Sequence, residues 1–178
     1  MYHVQPIVAT LGYTGYMKLN KEYLQSAIFG INDALVSTTG VMVGISAGTG
    51  NKSVIILAGV VTIMVEALSM GSGQYLSLKS AHEYQKKPNQ KEAIVSGIVM
   101  YLGYIAGGLV PLLPIVLLPV AQSSTAAIAA ALVGLLILGY VKGKIVKVSP
   151  IRSAIEVFII GGIATVIGLV VGNLLSVS

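Results

Sequence analysis

Two carboxylates lie in the middle of long apolar stretches of the chain. Asp33 lies in SAIFGINDALVSTTGVMVGISAG, and Glu66 lies in AGVVTIMVEALSMGSGQYLSLKS. An acid at the centre of a membrane-spanning helix costs at least ~2.5–3.5 kcal/mol, and such residues normally face a polar path or a charged partner. Neither stretch offers a Lys or Arg at its middle. We therefore expect these acids to bind an external cation, a proton, or both.

Glu66 begins a polar stripe on the second stretch. Met70, Gln74 and Ser77 follow it at steps of four or three residues, which puts the four side chains on one helix face. Oxygen ligands alone suit Mg or Ca, whereas an added thioether favours a transition metal such as ferrous iron or manganese. The chain has no Cys, so the affinity would be moderate, which suits a transporter that must release its ion. The weaker candidates for the transport path are Asn32, Ser37, Gln74 and Ser77.

Each of these residues also has a purely structural explanation. A Met in an apolar helix usually fills space. Glu66 could be protonated and bonded to a neighbouring hydroxyl, and Asp33 could bond a Ser or Thr across a helix interface. Two acids at membrane depth, one of them a single turn from a Met, favour the metal-binding interpretation.

The composition indicates an all-α integral membrane protein. Of the 178 residues, 55% are hydrophobic and 10% are charged, and the mean hydropathy is +0.88. Soluble domains carry about 25% charged residues, so this chain has too little polar surface to stay dispersed in water. No span presents a nucleophile beside a base, so we expect a protein that is not an enzyme and holds no permanent cofactor.

Five stretches are long enough to cross a membrane, which takes about 20 apolar residues. They follow an N-terminal cytoplasmic or interfacial segment, residues 1–24, and form one transporter domain, residues 25–176. Pro111, Pro114 and Pro119 lie between the third and fourth stretches and predict that the third helix bends or ends there. The predicted spans are residues 25–47, 53–78, 92–113, 122–142 and 153–175.

The basic residues predict the orientation. With the N-terminus in the cytoplasm, ten of the eleven Lys and Arg residues lie on the cytoplasmic side, and only Lys52 lies opposite. Cytoplasmic loops of membrane proteins carry an excess of Lys and Arg, so we expect the C-terminus on the opposite side. This asymmetry also explains the net charge of +5 without a nucleic-acid partner.

An odd number of spans favours a homodimer, since two-fold dimers are the commonest assembly. Small residues recur at three- and four-residue steps and allow helices to pack closely, either within one subunit or between two. In the first span these residues are Ser26, Gly30, Ser37, Gly40 and Gly44, and in the fifth span they are Gly161, Gly162, Gly168 and Gly172.

Several motifs resemble those of the vacuolar iron transporter family. GINDALVSTTGVMVGISAG is similar to the family's first-span signature, and EALSMGSGQYLSLKS is similar to its second-span motif. GGLVPLLP resembles the Pro-Leu-Leu-Pro end of its third span. GYVKGKI, followed by PIRSAIEVFIIGGIATVIG, resembles its last cytoplasmic loop and fifth span. The resemblance covers residues 24–176 in order.

This resemblance implies a homodimeric five-span transporter that moves ferrous iron, and often manganese, out of the cytoplasm in exchange for protons. The family's mid-membrane Asp corresponds to Asp33, with an implied role as carboxylate ligand and proton carrier. Its second-span Met corresponds to Met70, with an implied role as soft ligand. The expected location is the plasma membrane in a prokaryote and a vacuolar-type membrane in a eukaryote.

The chain departs from the family pattern in its second span and in the loop that follows. Eukaryotic members carry a Glu-rich, metal-collecting helical domain after this span, where the present chain has only SAHEYQKKPNQKE. Gln74 replaces a Glu of many relatives, and Thr62 replaces an acid found in some. We predict that Glu66 compensates for these losses. The weak candidates for cytoplasmic metal uptake in the short loop are His82, Glu83 and Glu92.

The sequence leaves two alternatives open. The transported ion could be another divalent cation, such as Mg, Co or Ni. The chain could instead be a non-transporting membrane scaffold or a partner subunit, in which case Asp33 would have no role in transport.

Overall fold

The computed structural model describes residues 20–174, except for the side chains of residues 164, 165, 168, 169, 172 and 173 in the last helix. The predicted all-α architecture is confirmed, and each predicted span corresponds to one helix. Most of the predicted N-terminal segment, residues 1–19, lies outside the described residues, and residues 21–24 form the first turn of the first helix. The five helices are α1 (Lys21–Gly48), α2 (Lys52–Tyr84), α3 (Gln90–Leu117), α4 (Val120–Val146) and α5 (Pro150–Leu174).

Asparagine side chains begin the first three helices. Asn20 accepts a hydrogen bond from the Glu22 backbone N–H at 2.8 Å, and Asn51 accepts one from Ser53 at 3.0 Å. Asn89 accepts one from the Glu92 N–H at 3.2 Å. These contacts satisfy backbone donors that a helix start leaves unpaired, which is why each helix begins where it does.

The third helix continues past the boundary that its prolines predict. α3 runs through Pro111 and Pro114 and ends at Leu117, and Pro119 instead lies directly before α4. Pro111 and Ile115 are fully buried, so packing against neighbouring helices holds this part of α3 in place. The Lys52 ammonium then donates to the carbonyls of Val116 and Leu118 at 2.8 and 2.9 Å. The ammonium satisfies carbonyls at the end of α3, and its positive charge is favourable beside the negative end of the helix dipole.

The first helix lies at the centre of the bundle and contacts each of the other four helices. Glycines make the α1–α3 contact close: a Cβ atom on Gly30 would lie 2.7 Å from the Met100 carbonyl oxygen, and one on Gly107 would lie 2.7 Å from the Ile31 carbonyl oxygen. Small residues thus bring the polar residues of α1 next to α3.

Four of the helices, α1 to α4, are long and apolar enough to cross a membrane. Large apolar side chains cover their outer faces, among them Leu57, Leu68 and Leu102, which are 64%, 65% and 57% exposed. In water such a surface would aggregate, whereas in lipid it is the expected exterior. The chain is therefore a multi-pass membrane protein. Its fifth span and its orientation stay predictions.

Candidate metal-transport site

The two acids of the apolar stretches lie near each other on adjacent helices. Asp33 on α1 is partly buried, and Glu66 on α2 is exposed at the surface of the single chain. The two groups are close enough for their charges to interact. Within residues 20–174, neither carboxylate forms an ion pair or a hydrogen bond. Two like charges without a cationic partner make a region that attracts a cation.

Met70 lies on the core beside these acids. Ala34, Ala67 and Tyr104 form a fully buried cluster that joins α1, α2 and α3, and Met70 packs against this cluster from α2. Ala34 follows Asp33 in the chain, and Ala67 follows Glu66. The packing of three helices therefore places Met70 and the residues that directly follow the two acids against one buried cluster.

Tyr104 is a polar member of this region that the sequence analysis did not single out. Its ring is fully buried, and its hydroxyl forms a hydrogen bond of 2.6 Å with the Ser37 hydroxyl. It is also close enough to Asp33 and Glu66 to interact with both charges. A Tyr in the middle of an apolar span was the available signal, because a buried Tyr hydroxyl needs a partner.

The remaining predicted path residues lie on the same two helices, α1 and α2. Ser37 is engaged by Tyr104, whereas Asn32 and Gln74 are partly buried and Ser77 is exposed. No group of three or more His, Cys, Asp or Glu side chains in the described part of the chain is arranged to hold a metal ion. One subunit therefore offers two acids and a thioether, fewer protein ligands than a tightly held ion takes.

The predicted uptake residues lie at the Lys-rich end of the bundle and already have partners. His82 Nε2 lies 3.2 Å from Glu92 Oε2, and the Asn89 amide donates to the same carboxylate oxygen at 3.1 Å. The Asn20 amide donates to the other Glu92 oxygen. Glu83 instead pairs with Lys79 one turn earlier on α2, at 3.8 Å. The structure thus separates Glu83 from the His82–Glu92 pair. Through its contact with Asn20, Glu92 also links this end of α2 and α3 to the start of α1.

Taken together, the fold and this site define a class of protein: a multi-pass helical membrane protein with unpaired acids inside its apolar layer. Intramembrane acids of this kind mark ion or proton pathways. The sequence model of the VIT family matches residues 24–94 and 85–173. The chain therefore belongs to the VIT family.

Named relatives are similar over most of their length. Vacuolar iron transporter 1 of Eucalyptus grandis is 26% identical over 206 aligned positions, which cover 81% of this chain and 83% of that protein. Vacuolar iron transporter 1 of Oryza sativa subsp. japonica is 27% identical, with 81% and 82% covered. Vacuolar iron transporter homolog 3 of Arabidopsis thaliana is 27% identical over 162 positions, with 82% and 80% covered.

The alignment lengths also bear on the α2–α3 connection. The 206 positions aligned with the Eucalyptus protein exceed the 178 residues of this chain, so that relative contains residues with no counterpart here. The two segments of the family match overlap over residues 85–94, which include the short connection between α2 and α3.

Proposed function

We propose that this chain transports divalent transition-metal ions, ferrous iron and manganese, out of the cytoplasm in exchange for protons. The observation that carries the proposal is the pair of unpartnered carboxylates, Asp33 and Glu66, on adjacent helices of the apolar bundle. The family and the names of its relatives support iron as a substrate. The membrane is the plasma membrane in a prokaryotic cell or a vacuolar-type membrane in a eukaryotic one.

The chemistry follows from the ligand types. A hydrated cation is drawn to the two carboxylates, exchanges part of its water for their oxygens, and gains the thioether of Met70 as a softer ligand. A protonated carboxylate is a poor ligand, so protons arriving from the other side compete with the metal. Alternate binding of metal and proton by Asp33 couples the two fluxes in opposite directions.

Transport on this proposal needs two copies of the chain. Glu66 is exposed on the single chain although it lies in an apolar helix, and a charged group facing lipid is costly. A Cβ atom on Gly40 or on Gly73 would contact nothing within 4 Å, so packing inside one chain does not require these glycines. They lie seven residues after Asp33 and Glu66, on the same helix faces. A second copy seated there covers Glu66 and doubles the ligands.

Two other functions are distinguished by experiment. A transporter of Mg, Co or Ni would use the carboxylates but not depend on the thioether, and a scaffold or partner subunit would use neither. An enzyme is not proposed, since the family is one of transporters.

Flux measurements on purified protein in liposomes test the proposal. We expect uptake of Fe(II) and Mn(II) that is faster than uptake of Mg(II), with Co(II) and Ni(II) measured in parallel. Imposing an opposite proton gradient should accelerate the metal flux, and metal flux should move protons the other way. Flux of Mg(II) alone would identify Mg(II) as the substrate instead, and the absence of any metal flux would favour a scaffold function.

A further inference from the structure

A membrane-facing groove lies between α2 and α3, away from the acid pair. Its volume is about 320 Å³. Its walls are mainly apolar and aromatic and consist of Leu68, Ser72 and Tyr75 from α2 and Ile94, Ile98 and Tyr101 from α3.

Two glycines form the floor of the groove. A Cβ atom on Gly97 would lie 2.7 Å from the Gly71 carbonyl oxygen, so the two helices touch there backbone to backbone. The large side chains then stand to either side of this contact, and Leu68 and Ile98 remain 65% and 51% exposed. The groove is therefore built by the close helix contact, because no side chain is available to fill it.

Lysines stand at the end of the groove that faces the α2–α3 connection. Lys79 lies four residues beyond Tyr75, and its ammonium is 6.0 Å from the centre of the Tyr75 ring. Lys91 is exposed and lies three residues before Ile94 and seven before Ile98, on the same face of α3. Glu83 is the nearest acid, at 3.8 Å from the Lys79 ammonium, and an exposed pair of this length is weak.

We infer that this groove binds an anionic phospholipid from the membrane leaflet on the side of the α2–α3 connection. An acyl chain lies between Leu68 and Ile98, and Lys79 and Lys91 bind the phosphate. Basic residues beside an apolar cleft between membrane helices are the chemistry that selects anionic headgroups, and Tyr rings are favoured at headgroup depth. Lys79 exchanges its loose pair with Glu83 for the lipid phosphate.

The position of the groove distinguishes a lipid from a second copy of the chain. Leu68 follows Glu66 by two residues, so their side chains point about 200° apart around the helix axis. The buried residues Ala67 and Gly71 lie between the two faces. A second copy that covers Glu66 therefore leaves the groove facing lipid.

Lipid binding to the purified full-length protein tests this inference. Delipidated protein in detergent is titrated with fluorescently labelled phosphatidylglycerol and, separately, with phosphatidylcholine. Three variants are compared with the wild type: the double variant Lys79→Gln/Lys91→Gln, Ser72→Trp to fill the groove, and Lys144→Gln as a matched control. Lys144 also stands over a tyrosine, at 5.0 Å from the Tyr140 ring, but is not among the residues that line the α2–α3 groove.

We expect the wild type to prefer phosphatidylglycerol, and the double lysine variant to bind it about thirtyfold more weakly, since each lysine contributes about 1 kcal/mol. Ser72→Trp should weaken binding of both lipids, and Lys144→Gln should change neither. Equal binding of the two lipids, or an equal loss in Lys144→Gln, would overturn the inference. A change of oligomeric state in Ser72→Trp with lipid binding intact would assign the groove to a second copy and overturn it as well. If Ser72→Trp does not fold, the inference is still tested by the lipid preference of the wild type and by the lysine variants.

Discussion

The hydroxyl oxygens of Ser37 on α1 and Tyr104 on α3 lie 2.6 Å apart, within a hydrogen bond. Ser37 lies one turn after Asp33, and the Tyr104 ring is fully buried against the residues that follow Asp33 and Glu66. This bond fixes the two helices relative to each other beside the acid pair. In the proposed transport site this bond links α1 to α3, beside the residues Glu66 and Met70 of α2.

Removing the Tyr104 hydroxyl tests this bond. Tyr104→Phe keeps the buried ring but leaves Ser37 without its partner, which should lower the free energy of unfolding by about 1 kcal/mol. Metal flux should fall with it, because the proposed site loses this link between α1 and α3. Ser37→Ala should have a similar effect, and the double variant should be little worse than either. Tyr140→Phe is the control, since this ring lies on the outer surface of α4. Additive effects of Tyr104→Phe and Ser37→Ala would show that the bond does not act as a unit.

The thioether of Met70 should decide which metal is transported. Met70→Leu keeps the side-chain bulk and removes the sulfur, so Fe(II) flux should fall about tenfold, at the low end of losses seen when metal sites lose a supporting group. Mg(II) flux should be unchanged, because a hard cation gains little from sulfur. Met64→Leu is the matched control, as Met64 is half exposed and lies off the Glu66 stripe. An equal loss of Fe(II) and Mg(II) flux in Met70→Leu would indicate that Met70 serves only in packing.

The contact between α2 and α3 should be intolerant of a single methyl group. A Cβ atom on Gly97 meets backbone atoms that cannot move aside, so Gly97→Ala should destabilise the protein by about 1–3 kcal/mol. Thermal unfolding in detergent measures this loss. Gly162→Ala is the control, because its Cβ atom would meet only Leu132, at an ordinary 3.9 Å. Similar stability of the two variants would contradict the close contact.

A large side chain at Gly73 should separate the proposed dimer without unfolding the chain. Gly73 is exposed, its Cβ position is open in the single chain, and it lies on the Glu66 face of α2, so Gly73→Phe should obstruct a second copy seated there. Light scattering of the purified protein should report a monomer with an unchanged helical circular dichroism spectrum. Leu57→Phe, on the opposite and lipid-facing side of α2, should remain dimeric. A Gly73→Phe variant that stays dimeric would place the interface elsewhere.

The sequence was sufficient for the features that depend on one helix at a time. The lengths of the apolar stretches predicted the helices, and the acids within these stretches identified Asp33 and Glu66 as candidate site residues. The Ser37–Tyr104 bond could not be predicted, because it depends on which helices are neighbours and on the close approach that Gly30 and Gly107 permit. The continuation of α3 through Pro111 likewise depends on tertiary packing, which outweighs the local loss of a backbone donor.

The residues predicted to lie in the loop, which the structure places in the last turn of α2 and the first turn of α3, show the same limit. His82, Glu83 and Glu92 are close in sequence, and as a set they were candidates for cytoplasmic metal uptake. The fold pairs His82 with Glu92 and turns Glu83 towards Lys79. Helix periodicity determines the second pair, since residues four apart share a face. The first pair depends on the antiparallel return of α3.

The most direct test of the central claim is Fe(II) flux through Asp33→Asn in liposomes, measured beside the wild type and Glu66→Gln. The substitution keeps the size of the side chain and removes the charge that we propose binds metal and exchanges protons. The variant should purify with the oligomeric state and thermal stability of the wild type, yet its Fe(II) flux should fall to that of empty liposomes, with a smaller loss in Glu66→Gln. Unchanged Fe(II) flux through correctly folded Asp33→Asn would contradict the assignment of Asp33 as the transport carboxylate.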